Sequence, residues 1–376
     1  MRVLVLNAGS STLKWTLFDG RERTSVRDGS ADWNSLSAPA REEQLSATLR
    51  ELSGFEAVGH RVVHGGTRFR EALVVDGEVR TALGALATLD PLHMLPALSG
   101  IDAITRAFPK LPQVAVFDTS FHAHLPPAAA TYALPFEWSE RFGLLRFGFH
   151  GLSVEHSLTQ ARELLGHTPR RMIVCHLGSG CSVSALLEGR SVDTSMGFTP
   201  LEGVIMATRS GSIDPGLLLH LVTRCEIGLE ELSETLQKRS GLLGMSGVSG
   251  DLRLVLAAAD EGLPRARLAY ESFVWSLRRA IGAMAGVLDG VDALVFTGGI
   301  GENSARVRAD ASAALGFAGL RIGADLDAAG TADRRISSAD SRVSVLVVHA
   351  REDLVVLQEV LRLLDPQIGR EFEPPG

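Results

Sequence analysis

Three polar residues of this 376-residue chain stand at or soon after the end of an apolar run that is typical of a buried β-strand. They are Asn7, Asp118 and Glu352. In α/β proteins, ligands usually bind at the carboxyl ends of the strands. Amide and carboxylate oxygens are donors that Mg²⁺ prefers, so these residues are candidate metal ligands. Asp118 and Glu352 could equally cap the helices that follow them.

Two arginines are candidates for binding an anion. Arg61 lies in the apolar segment 57–63, and Arg209 lies in a segment rich in Ser, Thr and Gly. The formal net charge is −7, so an anionic ligand would need a local cluster of cations. A guanidinium presents a planar fork to a carboxylate or a phosphate. The pair therefore predicts a clamp for an acid and for a phosphoryl group moving to it, although each arginine could instead be solvated or salt-bridged.

The histidines give a weaker signal. His64 and His150 stand beside glycine turns, which is consistent with ligand access and also with ordinary turn chemistry. His122 and His124 could face a metal together, but the sequence offers no evident third soft ligand, so we give that hypothesis little weight.

A pattern of strand, polar glycine-containing tip and second strand occurs twice. The tips are residues 7–12 and 176–181. An offset of 169 residues (178 − 9) pairs Gly9 with Gly178, Ser10 with Ser179, and Gly20 with Gly189. An offset of this size indicates a duplicated domain. Amides and hydroxyls at such tips can cradle phosphate oxygens, and two facing tips could hold one triphosphate, although either tip alone could be a simple tight turn.

The apolar patterns predict a mixed α/β protein, and the length favours two domains. The predicted strands are 2–6, 13–18, 56–63, 113–118, 171–175, 182–187, 292–297 and 343–348. The predicted helices are 42–52, 96–107, 153–165, 215–238, 265–289 and 352–364. The glycine turn 298–303 follows a predicted strand and could pass close to a nucleotide, which by itself is weak evidence.

Several classes of function are disfavoured. The negative net charge gives no attraction to nucleic acid or an anionic membrane, and no apolar run approaches the roughly 18 residues of a membrane span. Cys175, Cys181 and Cys225 show no CxxC spacing, which argues against a disulfide framework or a zinc site and fits a reducing cytosol. The chain reaches a Gly/Ser-rich turn too early for a signal peptide. It contains no GxxxxGK(S/T), HExxH or GxSxG motif.

Six segments of the sequence resemble the acetate kinase family. They are residues 7–14 (Asn-Ala-Gly-Ser-Ser-Thr-Leu-Lys), 60–66, 117–122, 149–151, 193–215 and 296–303 (Phe-Thr-Gly-Gly-Ile-Gly-Glu-Asn). The resemblance implies the actin, Hsp70 and sugar-kinase type of fold, with two duplicated ribonuclease H-like domains and a nucleotide cleft between them. The expected domains are 1–118 with 353–376, whose helix closes the first domain, and 119–352. The resemblance also implies a cytoplasmic homodimer that binds a small carboxylate and a nucleotide.

The resemblance implies a role for each matching residue. Arg61 and Arg209 would clamp the substrate and the transition state, and His150 would donate to the transferring phosphoryl group. Mg²⁺, for which Mn²⁺ could substitute, would be bound by Asn7, Asp118 and Glu352. Besides Arg61, the acyl pocket would be lined by Val63, Leu92, Phe149 and Pro200. ATP or ADP would contact Ser10, Thr12, Lys14, His176, Gly178, Ser179, Gly180, Asp251, Leu252, Arg253, Gly298, Gly299, Ile300 and Gly301, and His93 would be a supporting polar group.

The implied reaction is a reversible, direct in-line transfer of the ATP γ-phosphoryl group to acetate. A carboxylic acid with a pKa of about 4 is ionised at neutral pH and needs no general base, so Asp118 is better suited to a metal than to a proton. Charge repulsion is then the main obstacle, and cations are the relevant tools. Propionate or butyrate as acceptor and pyrophosphate as donor remain alternatives. A nucleotide-gated binding protein without phosphotransfer is a further alternative, which the clamp and metal residues oppose.

The sequence departs from the usual pattern of the family at three single positions and in one four-residue segment. Ser179 replaces the asparagine of its phosphate loop, and Ser212 and Leu254 each replace an aspartate. Residues 94–97 (Met-Leu-Pro-Ala) replace Asn-Pro-Ala-Asn. A hydroxyl in place of an amide at position 179 could retune binding of the phosphoryl donor, which keeps pyrophosphate open. None of these changes removes a residue of the expected clamp or metal site.

Overall fold

A computed structural model of the chain describes residues 1–9, 12–33, 38–52, 54–87, 91–328, 332–365 and 367. The chain divides into two compact units. The first comprises residues 1–123 with 351–376, and the second comprises residues 124–350. The domain boundaries expected at residues 118 and 352 remain a prediction.

Strands and α-helices alternate along both units. The strands are β1 (Arg2–Ala8), β2 (Thr12–Asp19), β3 (Thr24–Asp32), β4 (Ala57–Val62), β5 (Leu73–Val74), β6 (Gln113–Phe117), β7 (Arg171–Leu177), β8 (Cys181–Leu187), β9 (Arg190–Thr194), β10 (Ala293–Thr297), β11 (Arg334–Arg335) and β12 (Ser344–Val347). The helices are α1 (Ala38–Glu51), α2 (Gly77–Leu86), α3 (Pro91–Ala107), α4 (Pro127–Ala130), α5 (Phe136–Phe142), α6 (Gly151–Leu165), α7 (Pro215–Arg224), α8 (Leu229–Glu234), α9 (Gly241–Ser246), α10 (Leu252–Asp260), α11 (Pro264–Val287), α12 (Gly298–Asn303), α13 (Ala305–Ser312), α14 (Ala324–Ala328) and α15 (Glu352–Leu364).

Within the described residues, each unit contains one six-stranded sheet, and the two sheets have the same topology. The strand orders are β3-β2-β1-β4-β6-β5 in the first unit and β9-β8-β7-β10-β12-β11 in the second. In each sheet the first three strands in sequence form an antiparallel meander, and two later strands continue it in parallel. The last strand of each sheet is an antiparallel edge. The predicted duplicated α/β fold is confirmed.

The two repeated hairpins differ in the length of their tips. Four residues separate Ala8 from its partner Leu13, whereas only three residues, 178–180, separate Leu177 from its partner Cys181. The predicted pairing of Gly20 with Gly189 is therefore wrong by one residue. The Gly20 amide donates to the carbonyl of residue 1, and the equivalent bond in the second unit comes from the Glu188 amide. The shorter tip changes the offset beyond it.

The strands that reach the candidate site are buried on both faces, as parallel strands covered by helices usually are. In β10 every residue is buried. In the first unit, α15 packs directly on β4 at Gly59. A Cβ on Gly59 would lie 2.5 Å from Val356 Cγ1 and 2.8 Å from Val360 Cγ2, so only glycine permits this approach. The close packing places Glu352, the first residue of α15, over the end of this sheet.

Several elements differ from the sequence-based expectation. The predicted helix 215–238 is wrong, because α7 ends before Glu226, whose φ of +56° breaks the helical backbone, and Thr235–Arg239 is a π-helix. Helix α3 begins at Pro91 instead of residue 96, with Pro96 inside it. Strands β3, β5, β9 and β11 were not predicted. All four are sheet edges: β3 is mostly exposed, β5 and β11 have two residues each, and β9 has a single apolar residue, so none carries the apolar run on which strand prediction depends.

Candidate active site

The first unit contains a cluster of one arginine and two carboxylates. Arg61 Nε and Nη2 donate to the two carboxylate oxygens of Asp118 at 2.8 and 2.7 Å. Its Nη1 donates to Glu352 Oε2 at 3.0 Å. The side chains of Arg61, Asp118 and Glu352 are 17%, 3% and 18% exposed. Two predicted metal ligands and one predicted substrate ligand therefore form a single ion-paired group.

Neighbouring strands bring this cluster together. Arg61 is the penultimate residue of β4 and pairs in parallel register with Val116 of β6, and Asp118 comes directly after that strand. The Asp118 amide donates to the Val62 carbonyl at 3.0 Å, which fixes the backbone at the strand end. The carboxyl ends of parallel strands thus meet at one edge, as in other α/β ligand sites.

Electrostatics keep Arg61 charged. Burial alone would lower the pKa of Arg61, but the adjacent Asp118 and then Glu352 outweigh it and raise that pKa above its ordinary value. Within the described part of the chain, the three bonds use three of the five guanidinium N–H donors, so two donors remain for an anionic ligand. Free donors of this kind are what the predicted binding of a small carboxylate requires.

The same cluster also contains donor atoms that suit a hard divalent cation. Asp118 and Glu352 both reach one guanidinium, so their carboxylates lie close together. Mg²⁺ is usually held by one or two carboxylates, with phosphate and water completing its octahedron, so this donor set fits. Among the residues that the structure describes, no group of three or more His, Cys, Asp or Glu side chains could hold a metal. His122 and His124 are therefore not part of such a group.

The first hairpin tip lies at the same strand edge. Asn7 is near the end of β1, one residue beyond the parallel pair Leu6–His60, and pairs with Lys14 of β2. The Gly9 amide donates to the Thr12 carbonyl at 2.9 Å and closes the tip. The Lys14 side chain is exposed. Ser10, a predicted phosphate ligand, lies outside the described residues.

Sequence reasoning missed the residue that anchors this tip. The buried Trp33 donates its indole N–H to the Gly9 carbonyl at 3.0 Å. The only sequence signal for this contact is an apolar side chain, that of Trp33, next to a polar segment. The tip is therefore held from the side of β3.

Of the predicted acyl-pocket residues in the first unit, Val63 is described in full. It is half-buried and follows β4 directly, two residues beyond Arg61. Leu92 and the supporting His93 lie in α3, and their side chains fall outside what the structure describes. Next to Val63, the buried His64 accepts from the Gly66 amide through Nδ1 at 2.8 Å, which is local turn chemistry.

In the second unit, the second hairpin tip is surrounded by nitrogen donors. A Cβ on Gly180 would lie 3.2 Å from His150 Nε2 and 3.4 Å from Arg209 Nη1, and one on Gly178 would lie 3.6 Å from His176 Nε2. The two imidazole rings lie with centroids 4.2 Å apart and planes tilted by 30°. The predicted residues His150, His176 and Arg209 thus lie together around the tip, where Gly178 and Gly180 have no Cβ. The arrangement suits an anionic oxygen.

The segment that carries Arg209 is tied to this tip. The Ala207 amide donates to the Ser179 carbonyl at 3.1 Å, while the Ser179 side chain is exposed. Arg209 Nη1 donates to the Pro200 carbonyl at 3.0 Å, so the predicted acyl-pocket proline contacts the predicted clamp arginine. Phe149, also predicted for the pocket, is 1% exposed.

Two further segments that are predicted to bind the nucleotide, residues 298–301 and 251–253, adjoin the tip. Gly298 follows Thr297, which pairs with His176 across β10 and β7, and a Cβ on Gly298 would lie 2.8 Å from the Leu177 carbonyl oxygen. Its φ of +76° also favours glycine. Residues 298–303 form α12, so the helix begins at the first glycine of the predicted turn, and Gly299, Ile300 and Gly301 belong to it.

The other of these segments, residues 251–253, caps the N-terminus of α10. Gly250 packs against Ala207, and Asp251 accepts from the Arg253 amide at 2.9 Å and from its Nε at 3.0 Å. This pairing lowers the pKa of Asp251. Arg253 is exposed, whereas Leu252 is buried.

A partly buried network that the sequence did not reveal supports the segment 194–202. Tyr132 donates to Glu202 at 2.6 Å, Arg146 donates to Glu202 at 2.8 Å, and Arg146 also donates to the Thr194 and Met196 carbonyls at 3.1 Å. Burial first, and then the bond to Glu202, raise the pKa of Tyr132. Gly197 leaves room for this network, because a Cβ there would overlap both Glu202 and Tyr132.

The same segment includes Pro200, the partner of Arg209. The side chains of Tyr132, Arg146 and Glu202 come from separate parts of the sequence, and each is a common residue type. Their spacing in the sequence therefore does not predict the network.

The chain is similar to proteins of one family over nearly its full length. A model of the family described as the acetokinase family matches residues 22–358. An acetate kinase of Nostoc punctiforme is 42% identical over 97% of this chain and 100% of that protein. An acetate kinase of Gloeobacter violaceus is 42% identical over 96% of this chain and 98% of that protein.

Solved structures give the same result for the fold. An acetate kinase of Porphyromonas gingivalis superposes with a TM-score of 0.88 at 32% identity, covering 97% of this chain and 100% of that one. A propionate kinase of Francisella tularensis superposes with a TM-score of 0.89 at 34% identity, covering 96% and 100%. In the described residues, no helix is both long and apolar enough to cross a bilayer.

Proposed function

The chain belongs to the acetokinase family, and we propose that it transfers the γ-phosphoryl group of ATP to the carboxylate of acetate, giving acetyl phosphate and ADP. The observation that carries the proposal is the second hairpin tip. His150 Nε2, His176 Nε2 and Arg209 Nη1 surround Gly178 and Gly180, so side-chain nitrogens converge on the partly exposed backbone of the tip. An anion whose negative charge is shared among several oxygens is the ligand that this arrangement suits.

Each unit would supply a different part of the reaction. In the first unit, Arg61 would bind the acetate carboxylate with its two remaining donors, beside Val63 and Leu92. In the second unit, Arg209 and His150 would stabilise the charge that develops on the transferred phosphoryl group, next to Phe149 and Pro200. Acetate is ionised at neutral pH, so a direct in-line displacement needs no general base. Positioning and charge stabilisation are then the main contributions of the protein.

The nucleotide would be held mainly by backbone groups. Its phosphates would bind the tips of both hairpins, with Ser10, Thr12 and Lys14 on one and His176 with residues 178–180 on the other. Its adenosine would contact residues 251–253 and 298–301. Glycine at these positions lets a ligand approach the backbone without meeting a Cβ.

Asp118 and Glu352, together with Asn7, would hold Mg²⁺. When bound, the ion neutralises charge on the phosphoryl oxygens of the nucleotide. Mn²⁺ favours the same oxygen ligands and would substitute for it. We therefore expect activity to disappear on chelation and to return with either cation.

Acetate is the first choice of acceptor, and propionate is the second. The favouring observation for propionate is the superposition with a propionate kinase of similar identity. Butyrate and pyrophosphate remain alternatives, the latter because Ser179 presents a hydroxyl where an amide is usual. A nucleotide-gated binding protein without phosphotransfer would not need the charged clusters around Arg61 and Arg209.

We further propose that the protein is a cytoplasmic homodimer with two ribonuclease H-like domains, 1–118 with 353–376 and 119–352. Apolar side chains exposed on the second unit support an interface there. Leu219 and Leu229 are 67% and 72% exposed, and Trp275 is 64% exposed. Light scattering coupled to gel filtration would test this, because a monomer mass of 40.1 kDa would contradict it.

The decisive experiment traps the acyl phosphate with hydroxylamine. Acetate, propionate and butyrate are compared as acceptors with ATP and Mg²⁺, and pyrophosphate is compared with ATP as donor. The proposal expects the highest kcat/KM with acetate and ATP. A higher kcat/KM with a longer acid or with pyrophosphate would replace the acceptor or the donor, and lack of turnover with every pair would favour the binding protein.

A further inference from the structure

Two buried serines, to which no role has been assigned, contact the two histidines of the second tip. Ser182 Oγ lies 3.0 Å from His150 Nδ1, and Ser153 Oγ lies 2.8 Å from His176 Nδ1. Both serines are 0% exposed. We propose that they are positioning residues that hold each imidazole with its Nε2–H directed at the Gly178–Gly180 tip. This inference rests on the proposed function, because it directs these N–H groups to a phosphoryl oxygen.

The four side chains form two reciprocal pairs. His150 precedes α6 and is bound by a serine of β8, whereas His176 belongs to β7 and is bound by Ser153 in the first turn of α6. Ser182 also pairs in register with His176 across β7 and β8. Helix α6 and the residue before it thus contribute Ser153 and His150, and strands β7 and β8 contribute His176 and Ser182. The same contact, formed twice from different elements, positions both rings against the same tip.

The backbone of His150 adds to this constraint. Its φ of +58° lies in the left-handed region, which is uncommon for a residue with a Cβ. Such conformations persist where the surrounding structure determines them, and they cluster at functional sites. Here the conformation lets α6 begin at Gly151 while the ring turns towards Ser182.

A hydrogen bond at Nδ1 determines what Nε2 can do. A neutral imidazole carries one N–H, and the partner of one nitrogen sets which nitrogen holds the proton. If the Ser182 hydroxyl donates to His150 Nδ1, the proton resides on Nε2, which then donates towards the tip. If the ring is protonated, Ser182 accepts from Nδ1–H, and Nε2 still donates. The reverse bond, from Nδ1–H of the neutral ring to the serine oxygen, would make Nε2 an acceptor, so the proposal requires Ser182 to be the donor to the neutral ring.

The alternative is that these serines only satisfy buried ring nitrogens. The two roles differ in an observable that stability does not report, the tautomer of the neutral ring. We would label the histidines of the full-length protein with ¹⁵N, record long-range ¹H–¹⁵N spectra, and assign His150 by its loss in His150→Gln. The expected result is a dominant Nε2–H tautomer that Ser182→Ala shifts towards a mixture.

The control is Ser184→Ala. Ser184 lies on the same strand, is equally buried, and bonds the Thr194 hydroxyl at 2.9 Å instead of a histidine. It should leave the His150 tautomer unchanged. An unchanged tautomer in Ser182→Ala as well would overturn the proposal, whether or not the protein proves to be an acetate kinase.

Kinetics test the same claim in the acyl phosphate assay, where wild-type turnover separately tests the proposed function. Ser182→Ala should lower kcat about 10-fold, the effect of one hydrogen bond to a charged group, with little change in KM for ATP. In a His150→Ala background it should have almost no further effect, because the serine acts through that ring. An equal loss in both backgrounds would show that Ser182 acts independently and would refute the positioning role.

Discussion

Arg61 and Asp118 are 57 residues apart in sequence, yet they are joined by two parallel hydrogen bonds of 2.8 and 2.7 Å. The pair exists because β4 and β6 are adjacent parallel strands that end at the same edge. Glu352 binds the same guanidinium from α15. The arginine proposed to bind the anion and the two carboxylates proposed to bind a metal are thus one structural unit, and changing one should affect the others.

Removing the Asp118 charge should therefore destabilise the fold. In Asp118→Asn, Arg61 remains a buried cation with only Glu352 as its carboxylate partner, so we expect the free energy of unfolding to fall by about 2–3 kcal/mol. Urea unfolding followed by circular dichroism measures this. The matched control is Asp102→Asn, which breaks another two-bond pair with Arg80, at 32% and 36% exposure. It should cost less than about 1 kcal/mol, and equal losses would contradict the argument from burial.

Arg209 should contribute to turnover more than to folding. It contacts the Pro200 carbonyl and faces the tip at Gly180, where charge would develop during phosphoryl transfer. By analogy with other arginines that stabilise such transition states, Arg209→Ala should lower kcat about 10³-fold. The exposed Arg224 provides a control, and Arg224→Ala should leave kcat unchanged. Undiminished turnover in Arg209→Ala would refute the mechanism.

Val63 should influence the choice of acid. It is half-buried two residues beyond Arg61, so shortening it would make room for one more methylene. Val63→Ala should raise the ratio of kcat/KM for propionate to that for acetate about 10-fold, since one methylene in a pocket is worth about 1–3 kcal/mol. Val74→Ala, at an exposed valine of β5, is the control and should leave the ratio as it is. If both variants behave alike, Val63 does not line the pocket.

Ser179 should influence the choice of phosphoryl donor. Its carbonyl is held by the Ala207 amide, while its side chain is exposed at the tip. Ser179→Asn would add an amide donor there and should raise kcat/KM for ATP relative to pyrophosphate by about 3–10-fold, the value of one hydrogen bond. Ser179→Ala should not raise that ratio. Initial rates with both donors decide, and a fall in the ATP ratio with asparagine would count against this assignment.

His60 should make stability depend on pH. Burial, only partly offset by its hydrogen bond to Gln113, lowers the pKa of His60 from 6.5 to about 4. Between these values the unfolded chain binds a proton that the folded chain does not. Stability is therefore greatest above pH 6.5 and decreases as the pH falls towards about 4, by about 3 kcal/mol from this residue.

The test compares variants across that window. His60→Gln should weaken the pH dependence of the unfolding free energy between pH 6.5 and about 4, whatever its stability at neutral pH. His220→Gln, at an exposed position of α7, should leave the dependence of the wild type intact. If His60→Gln retains the full dependence, other groups cause it.

The sequence predicted the features that depend on neighbouring residues. Central strands such as β1, β7 and β10 contain continuous apolar runs, and a glycine-containing tip follows both β1 and β7, so the α/β class and the duplication were readable. Edge strands were not, because exposed strands such as β3 carry no apolar pattern. The sequence also predicted that the second tip ends at residue 181, whereas the paired strands leave residues 178–180 as the tip. Its end depends on the register of the two strands, which the sequence does not specify.

The tertiary structure alone decided which residues act together. Arg61 and Glu352 are 291 residues apart, and only the packing of α15 on Gly59 brings them into contact. Ser182 and His150 are both common residue types, and their bond depends on the register of β8 and the left-handed backbone before α6. Local patterns record the periodicity of each element, but hydrogen bonds within about 3 Å depend on how separate elements pack, which no local spacing specifies.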